Sequence, residues 1–169
     1  ADTFIDPTTS TVDAGNYWNI TNYFKEMSLG QYNVIGDVEK VVAAYASDDS
    51  RYSGLSDNQF RRKANQDVLE YIDNNTCVTF ADYDNWTRNS SYVHSDSSDG
   101  VVDMIFMIWK GTWFGGFRGE ASMGYGSGSL LLDNGNTEIK FGFPTGSGVT
   151  IHDNSNSTYL LNTVKHELG

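Results

Sequence analysis

Apolar residues recur at helical spacing near the start of the chain, at Ile20, Tyr23, Phe24 and Met27, and predict an amphipathic helix that Gly30 ends in a left-handed turn. Tyr32, Val34, Gly36 and Val38 then alternate, which suits a strand over 32–38. The clearest periodicity follows: Phe60, Ala64, Val68, Tyr71 and Ile72 form one apolar stripe, with Arg61, Arg62, Asp67 and Glu70 facing away. Ser56 and Gln59 stand at capping-box spacing where that helix begins.

Residues 80–100 are rich in Asp, Asn and Ser and read as loops. The run 101–109 is apolar except for Asp103, as in a central strand buried on both faces. Glycines make 115–128 irregular by expectation, whereas Leu130, Leu131 and Leu132 predict a strand. Asp133-Asn134-Gly135-Asn136 supplies the chemistry of a tight hairpin turn into 137–143, where Ile139, Phe141 and Phe143 alternate. A short strand over 149–151 comes next, and Asn156 or Ser157 can cap a last helix carrying Tyr159, Leu160, Thr163, Val164 and Leu168. The order of elements indicates a mixed α/β or α+β domain.

At 169 residues the chain has the size of a single domain able to bury a core without disulfides. It contains no apolar stretch of about 18 residues, and its first residues lack the blocks of a signal peptide, so a soluble chain is expected. A formal charge of −11 argues against nucleic acid as a partner and leaves cations, calcium included, open. Few Lys, one Cys and abundant Asn, Ser, Thr, Gly and Tyr suit a secreted protein. Cys77, lacking a disulfide partner, is expected to be buried as a small hydrophobe. Sequons begin at Asn19, Asn74, Asn85, Asn89 and Asn156, as a composition this rich in Asn, Ser and Thr produces by chance.

Two constellations carry candidate chemistry. The chain ends in His166-Glu167-Leu168-Gly169, the first four positions of the zinc-protease signature His-Glu-x-x-His, in which two histidines on one helical face hold the metal and the glutamate activates water. A surface His beside a Glu is the plainer reading of the same residues. The second is the acidic stretch Asp82-Tyr83-Asp84-Asn85 with Asp96-Ser97-Ser98-Asp99-Gly100-Val101-Val102-Asp103. Alternating oxygen donors followed by Gly resemble a calcium loop, although the bidentate Glu of an EF-hand is missing; a turn whose carboxylates cap its own backbone is the competing reading.

Asp103, inside an apolar run, must be paired, hydrogen-bonded or at the strand's edge, and a structural partner such as Arg118 or Lys110 is expected rather than a catalytic role. The glycine-rich segment 124–128 lacks the strand–loop–helix setting and the Lys of a phosphate loop. Trp109, Trp113, Phe114 and Phe117 either line a cleft or complete the core, and His94 and His152 read as surface residues.

Several segments together resemble one family. Residues 23–32, Tyr-Phe-Lys-Glu-Met-Ser-Leu-Gly-Gln-Tyr, are similar to the opening of the catalytic domain in secreted bacterial metallopeptidases of the immune inhibitor A type, the M6 group. Phe80-Ala81-Asp82-Tyr83-Asp84 and then Asp99-Gly100-Val101-Val102-Asp103-Met104-Ile105-Phe106 resemble its Asp-rich loop and following strand. His166-Glu167 falls where that family carries its zinc helix, and the matches occur in family order over 18–169.

The resemblance implies an α+β zincin-like fold: a twisted mixed sheet with backing helices and a C-terminal active-site helix, residues 1–169 forming one incomplete N-terminal subdomain. It further implies His166 as zinc ligand and Glu167 as general base, with Asp82, Asp84, Asp99 and Asp103 as candidate calcium ligands and a protein or peptide as substrate. The chain departs from the family by ending before the second His and the third ligand, so these residues alone are expected to be inactive. A noncatalytic, calcium-stabilised binding or adhesion module and a degenerate peptidase-like scaffold are the alternatives.

Overall fold

The computed structural model describes residues 20–31, 34, 36–42, 49–88, 94–110, 119–122, 130–133, 139–141 and 147–153. Helix α1 spans Ile20–Met27 and buries Ile20, Thr21 and Asn22. Gly30, at φ +82°, makes the left-handed exit and donates its N–H to the Lys25 carbonyl. The described residues of the next segment, 34 and 36–42, belong to no strand. Val34 instead accepts a hydrogen bond from Thr21 Oγ1 at 2.6 Å, so its carbonyl serves α1 rather than a sheet partner.

Helix α2, Asp57–Asn75, organises the core. Its capping box is formed: Ser56 accepts from the Gln59 N–H, and the Gln59 side chain accepts from the Ser56 N–H at 2.9 Å. At the other end the Thr76 N–H and Oγ1 both donate to the Ile72 carbonyl. The buried face of α2 contains the predicted Phe60, Ala64, Val68 and Ile72 and extends to one side of that stripe. It carries Phe60, Ala64, Val68, Leu69 and Ile72, together with Arg61 and Asn65, while Tyr71 remains 47 % exposed. Leu69 gains more from burial than Tyr71, whose polar hydroxyl favours an exposed position, and an Arg stem can lie along apolar surface.

Two apolar clusters flank α2. Val68, Leu69 and Ile72 pack with Phe80, Val102 and Leu132, and Phe60 and Ala64 pack with Tyr52 from the 3-10 turn Ser50–Tyr52. Tyr52 meets Phe60 edge-on, with centroids 4.8 Å apart. Trp109 packs against both clusters and donates its indole N–H to the buried Asn65 Oδ1 at 2.7 Å.

The strands are β1 (Thr87–Arg88), β2 (His94–Ser95), β3 (Met104–Lys110), β4 (Gly119–Ser122), β5 (Leu130–Leu132), β6 (Ile139–Phe141) and β7 (Ser147–Asp153). β7 lies between β3, which it pairs in parallel from Met104↔Ser147 to Lys110↔Asp153, and β4, which it pairs antiparallel. Among the described strands β3 is thus an edge rather than the centre, and Ile108 is 41 % exposed. An apolar run reports on the faces of a strand and carries no information about its hydrogen-bonding edges, which explains the difference.

β4 lies within the glycine-rich stretch expected to be irregular. β5 and β6 form the expected hairpin, with Leu131 opposite Lys140, and β1 and β2 pair within the stretch read as loop. Cys77 is exposed, not buried, because it lies just beyond the α2 C-cap, where the chain leaves the core before returning at Phe80. Among the described residues no helix is long and apolar enough to cross a membrane.

Candidate functional site

His166 and Glu167 lie outside the described residues, as do the predicted helix around them, Trp113, Phe114, Phe117, Arg118 and the 124–128 segment. The four acidic candidates, Asp82, Asp84, Asp99 and Asp103, are all described. They gather around a 3-10 turn, Phe80–Tyr83, which Phe80 anchors in the main apolar cluster.

Asp84 is 5 % exposed, and its two carboxylate oxygens accept from the backbone N–H groups of Asp99, at 2.9 Å, and Gly100, at 2.8 Å. Gly100 sits at φ +81°, where a side chain would be strained. Asp99 Oδ1 accepts in turn from the Val101 N–H at 3.0 Å. Asp103 Oδ2 accepts from the Asn85 N–H at 2.8 Å, and its own N–H donates to the Tyr83 carbonyl at 2.9 Å; the anticipated partners, Arg118 and the Lys110 side chain, lie outside the described residues. Asp82 is exposed, and its carbonyl accepts from Asn85 Nδ2 at 3.0 Å.

Electrostatics distinguish these carboxyls. Burial holds the Asp103 carboxyl above the usual carboxylate range; the Asn85 and Trp86 N–H groups pull it down, and the charges of Asp84 and Asp99 push it up again. Burial likewise raises Asp99, opposed by its Val101 hydrogen bond and assisted by Asp84. Asp84, Asp99 and Asp103 are therefore brought within electrostatic reach of one another. Tyr83 donates to Asp37 Oδ2 at 2.6 Å, and burial, helped by that carboxylate, pushes its phenol up to about 12.

Three further acids were not legible as partners of this segment. Asp37 holds Tyr83, Asp133 accepts from the Phe80 and Ala81 N–H groups, and Asp73 accepts from the Asp133 N–H. Their sequence separations from the turn carry no local signature. In sum the carboxylates act chiefly as acceptors for main-chain N–H groups, the chemistry of a self-capped loop. Among the described residues no group of three or more His, Cys, Asp or Glu side chains is arranged to hold a metal ion.

A second polar cluster joins the 3-10 turn Ser50–Tyr52 to the middle of α2. Asp67 accepts from Tyr52 Oη at 2.8 Å and pairs with Lys63, while Arg51 chelates Asp49 and lies 5.2 Å from the Tyr52 ring centroid. The Arg51 hydrogen bonds hold the Asp49 carboxyl below its ordinary value. Every group in it has a structural partner, and no nucleophile faces a base. Comparison of the chain with protein-family models, with curated proteins and with solved structures returns no match.

Proposed function

We propose that these 169 residues are the N-terminal part of the catalytic domain of a secreted zinc-dependent endopeptidase resembling the immune inhibitor A type, with an α+β zincin-like fold. The observation that carries the reading is the order of its motifs: the 23–32 segment, the Asp-rich 80–84 and 99–106 segments, then His166-Glu167 on a stretch with helical apolar spacing. The contact between the two Asp-rich segments, through Asp84 and the Tyr83 carbonyl, supports treating them as one unit.

In this reading His166 would hold the metal through one imidazole nitrogen, and the Glu167 carboxylate would act as general base, taking a proton from water and passing it to the leaving amine. Zinc, when bound, lowers the pKa of its water toward about 7 and polarises the scissile carbonyl. The donor set falls short within residues 1–169, which contribute one ligand and one base from this signature. The proposal requires a histidine directly after Gly169. Determining that residue is the first test; any other residue there defeats the proposal.

One observation favours a second reading, a noncatalytic extracellular module stabilised by calcium. The charges of Asp84, Asp99 and Asp103 repel one another, and a hard cation bound beside them would relieve that repulsion. That reading predicts a melting temperature that rises with calcium and is insensitive to Glu167→Ala. The peptidase reading predicts loss of proteolysis with Glu167→Ala whether or not calcium stabilises the acidic segment.

A further inference from the structure

The 3-10 turn Phe80–Tyr83 lacks a cap of its own, since Thr79 at its N-cap makes no side-chain hydrogen bond to it. The acceptors come instead from Asp133, 53 and 52 residues away in sequence: Oδ1 accepts from the Phe80 N–H at 2.7 Å and Oδ2 from the Ala81 N–H at 2.9 Å. Asp133 follows the last residue of β5 and has φ +66°, a left-handed conformation in which Asn or Gly would be more at ease. Its own N–H donates at 2.5 Å to Oδ1 of Asp73, in the last turn of α2. An acid placed where backbone conformation favours other residues, with both oxygens on the first N–H groups of an otherwise uncapped turn, is retained for its two acceptors.

We infer that Asp133 is a cap supplied in trans, a positioning residue that fixes the acidic segment to α2 and to the β5–β6 hairpin. The relay runs from Asp73 through the Asp133 backbone to its carboxylate, into the turn, and on from Asp84 at the end of that turn to the Asp99 and Gly100 amides. Order in the acidic segment is thereby conditional on a residue that touches none of Asp82, Asp84, Asp99 or Asp103 through its carboxylate. The inference stands whatever the His166-Glu167 pair does.

The test is residue-resolved amide hydrogen exchange on wild type and on Asp133→Asn, Asp133→Gly and Asp133→Ala. Loss of a hydrogen bond to a charged acceptor corresponds to about tenfold faster exchange at the freed amide. Ala and Gly should show it at both Phe80 and Ala81, with a smaller loss at Asp99 and Gly100 and unchanged protection in the middle of α2. Asn, which keeps one oxygen and tolerates the left-handed backbone, should retain protection at one of the two amides. Should the Ala variant fail to fold, the Asn and Gly variants decide the matter. Protection at Phe80 and Ala81 equal to or above wild type in those two would show that Asp133 serves only the turn of the hairpin, and a uniform loss over the whole protein would show a general packing role; either result overturns the inference.

Discussion

Replacing Asp84 by alanine removes both acceptors that hold the 99–100 corner onto the 80–84 turn. Hydrogen bonds to a charged group contribute about 1.5–3 kcal/mol each. Here Asp99 is exposed and Gly100 is half-buried, so water can replace part of what is lost, and about 1–1.5 kcal/mol per bond is the better figure. The substitution also removes an anion that raises the Asp99 and Asp103 carboxyls, and that relief returns less than about 1 kcal/mol in a partly solvated site.

The net expectation is a destabilisation of about 2 kcal/mol for Asp84→Ala, with roughly half that for Asp84→Asn, which keeps one oxygen. For a domain of this size that corresponds to a fall in Tm of about 4–8 °C. Asp82→Asn is the control: the side chain is exposed, and a change within about 0.5 kcal/mol is expected. Urea unfolding followed by tryptophan fluorescence measures all three. Equal midpoints for Asp84→Ala and Asp82→Asn would refute the assignment of Asp84 as the buried cap of this loop.

Leu69→Ala, at a side chain 1 % exposed among Val68, Ile72, Phe80, Val102 and Leu132, should cost about 2–5 kcal/mol in the same assay, whereas Tyr71→Ala on the exposed side should cost far less. The Asp103 carboxyl predicts a pH dependence. Its folded value lies above the unfolded one, so protonation favours the folded state, and the associated stability is present in full below the unfolded value of about 4 and lost as pH rises through the folded value. Wild type should therefore gain on Asp103→Asn as pH falls from 7 toward 4, measured as the difference in urea midpoints; a constant difference, or a shift the other way, would contradict the burial argument.

What could be read from the chain was what the chain encodes locally. Ser56 and Gln59 predict a capping box because the partners are three residues apart, Gly30 predicts a left-handed exit because few other residues take φ +82°, and Asp133-Asn134-Gly135-Asn136 predicts a hairpin because turn chemistry is short-ranged. The bonds from Phe80 and Ala81 to Asp133, from Tyr83 to Asp37 and from Trp109 to Asn65 span 44 to 53 residues, and no spacing rule reaches that far. On α2 the stripe Phe60, Ala64, Val68 and Ile72 is buried as its spacing predicts, whereas periodicity admits Leu69 and Tyr71 almost equally and only the position of Val102 and Leu132 decides between them.

For the candidate site, the sequence pointed to four acids, of which Asp84, Asp99 and Asp103 accept main-chain N–H groups, and left their role undecided between cation ligands and backbone caps. Their hydrogen bonds show the capping role, which is compatible with a further ligand on the remaining lone pairs but does not by itself assemble one.

The most direct test of the peptidase proposal is zinc content and proteolysis measured together on the full-length protein, wild type, His166→Ala and Glu167→Ala. The account predicts about one zinc per chain in wild type, its loss in His166→Ala, and its retention without proteolysis in Glu167→Ala. Zinc content unchanged by His166→Ala, or proteolysis surviving Glu167→Ala, would contradict it.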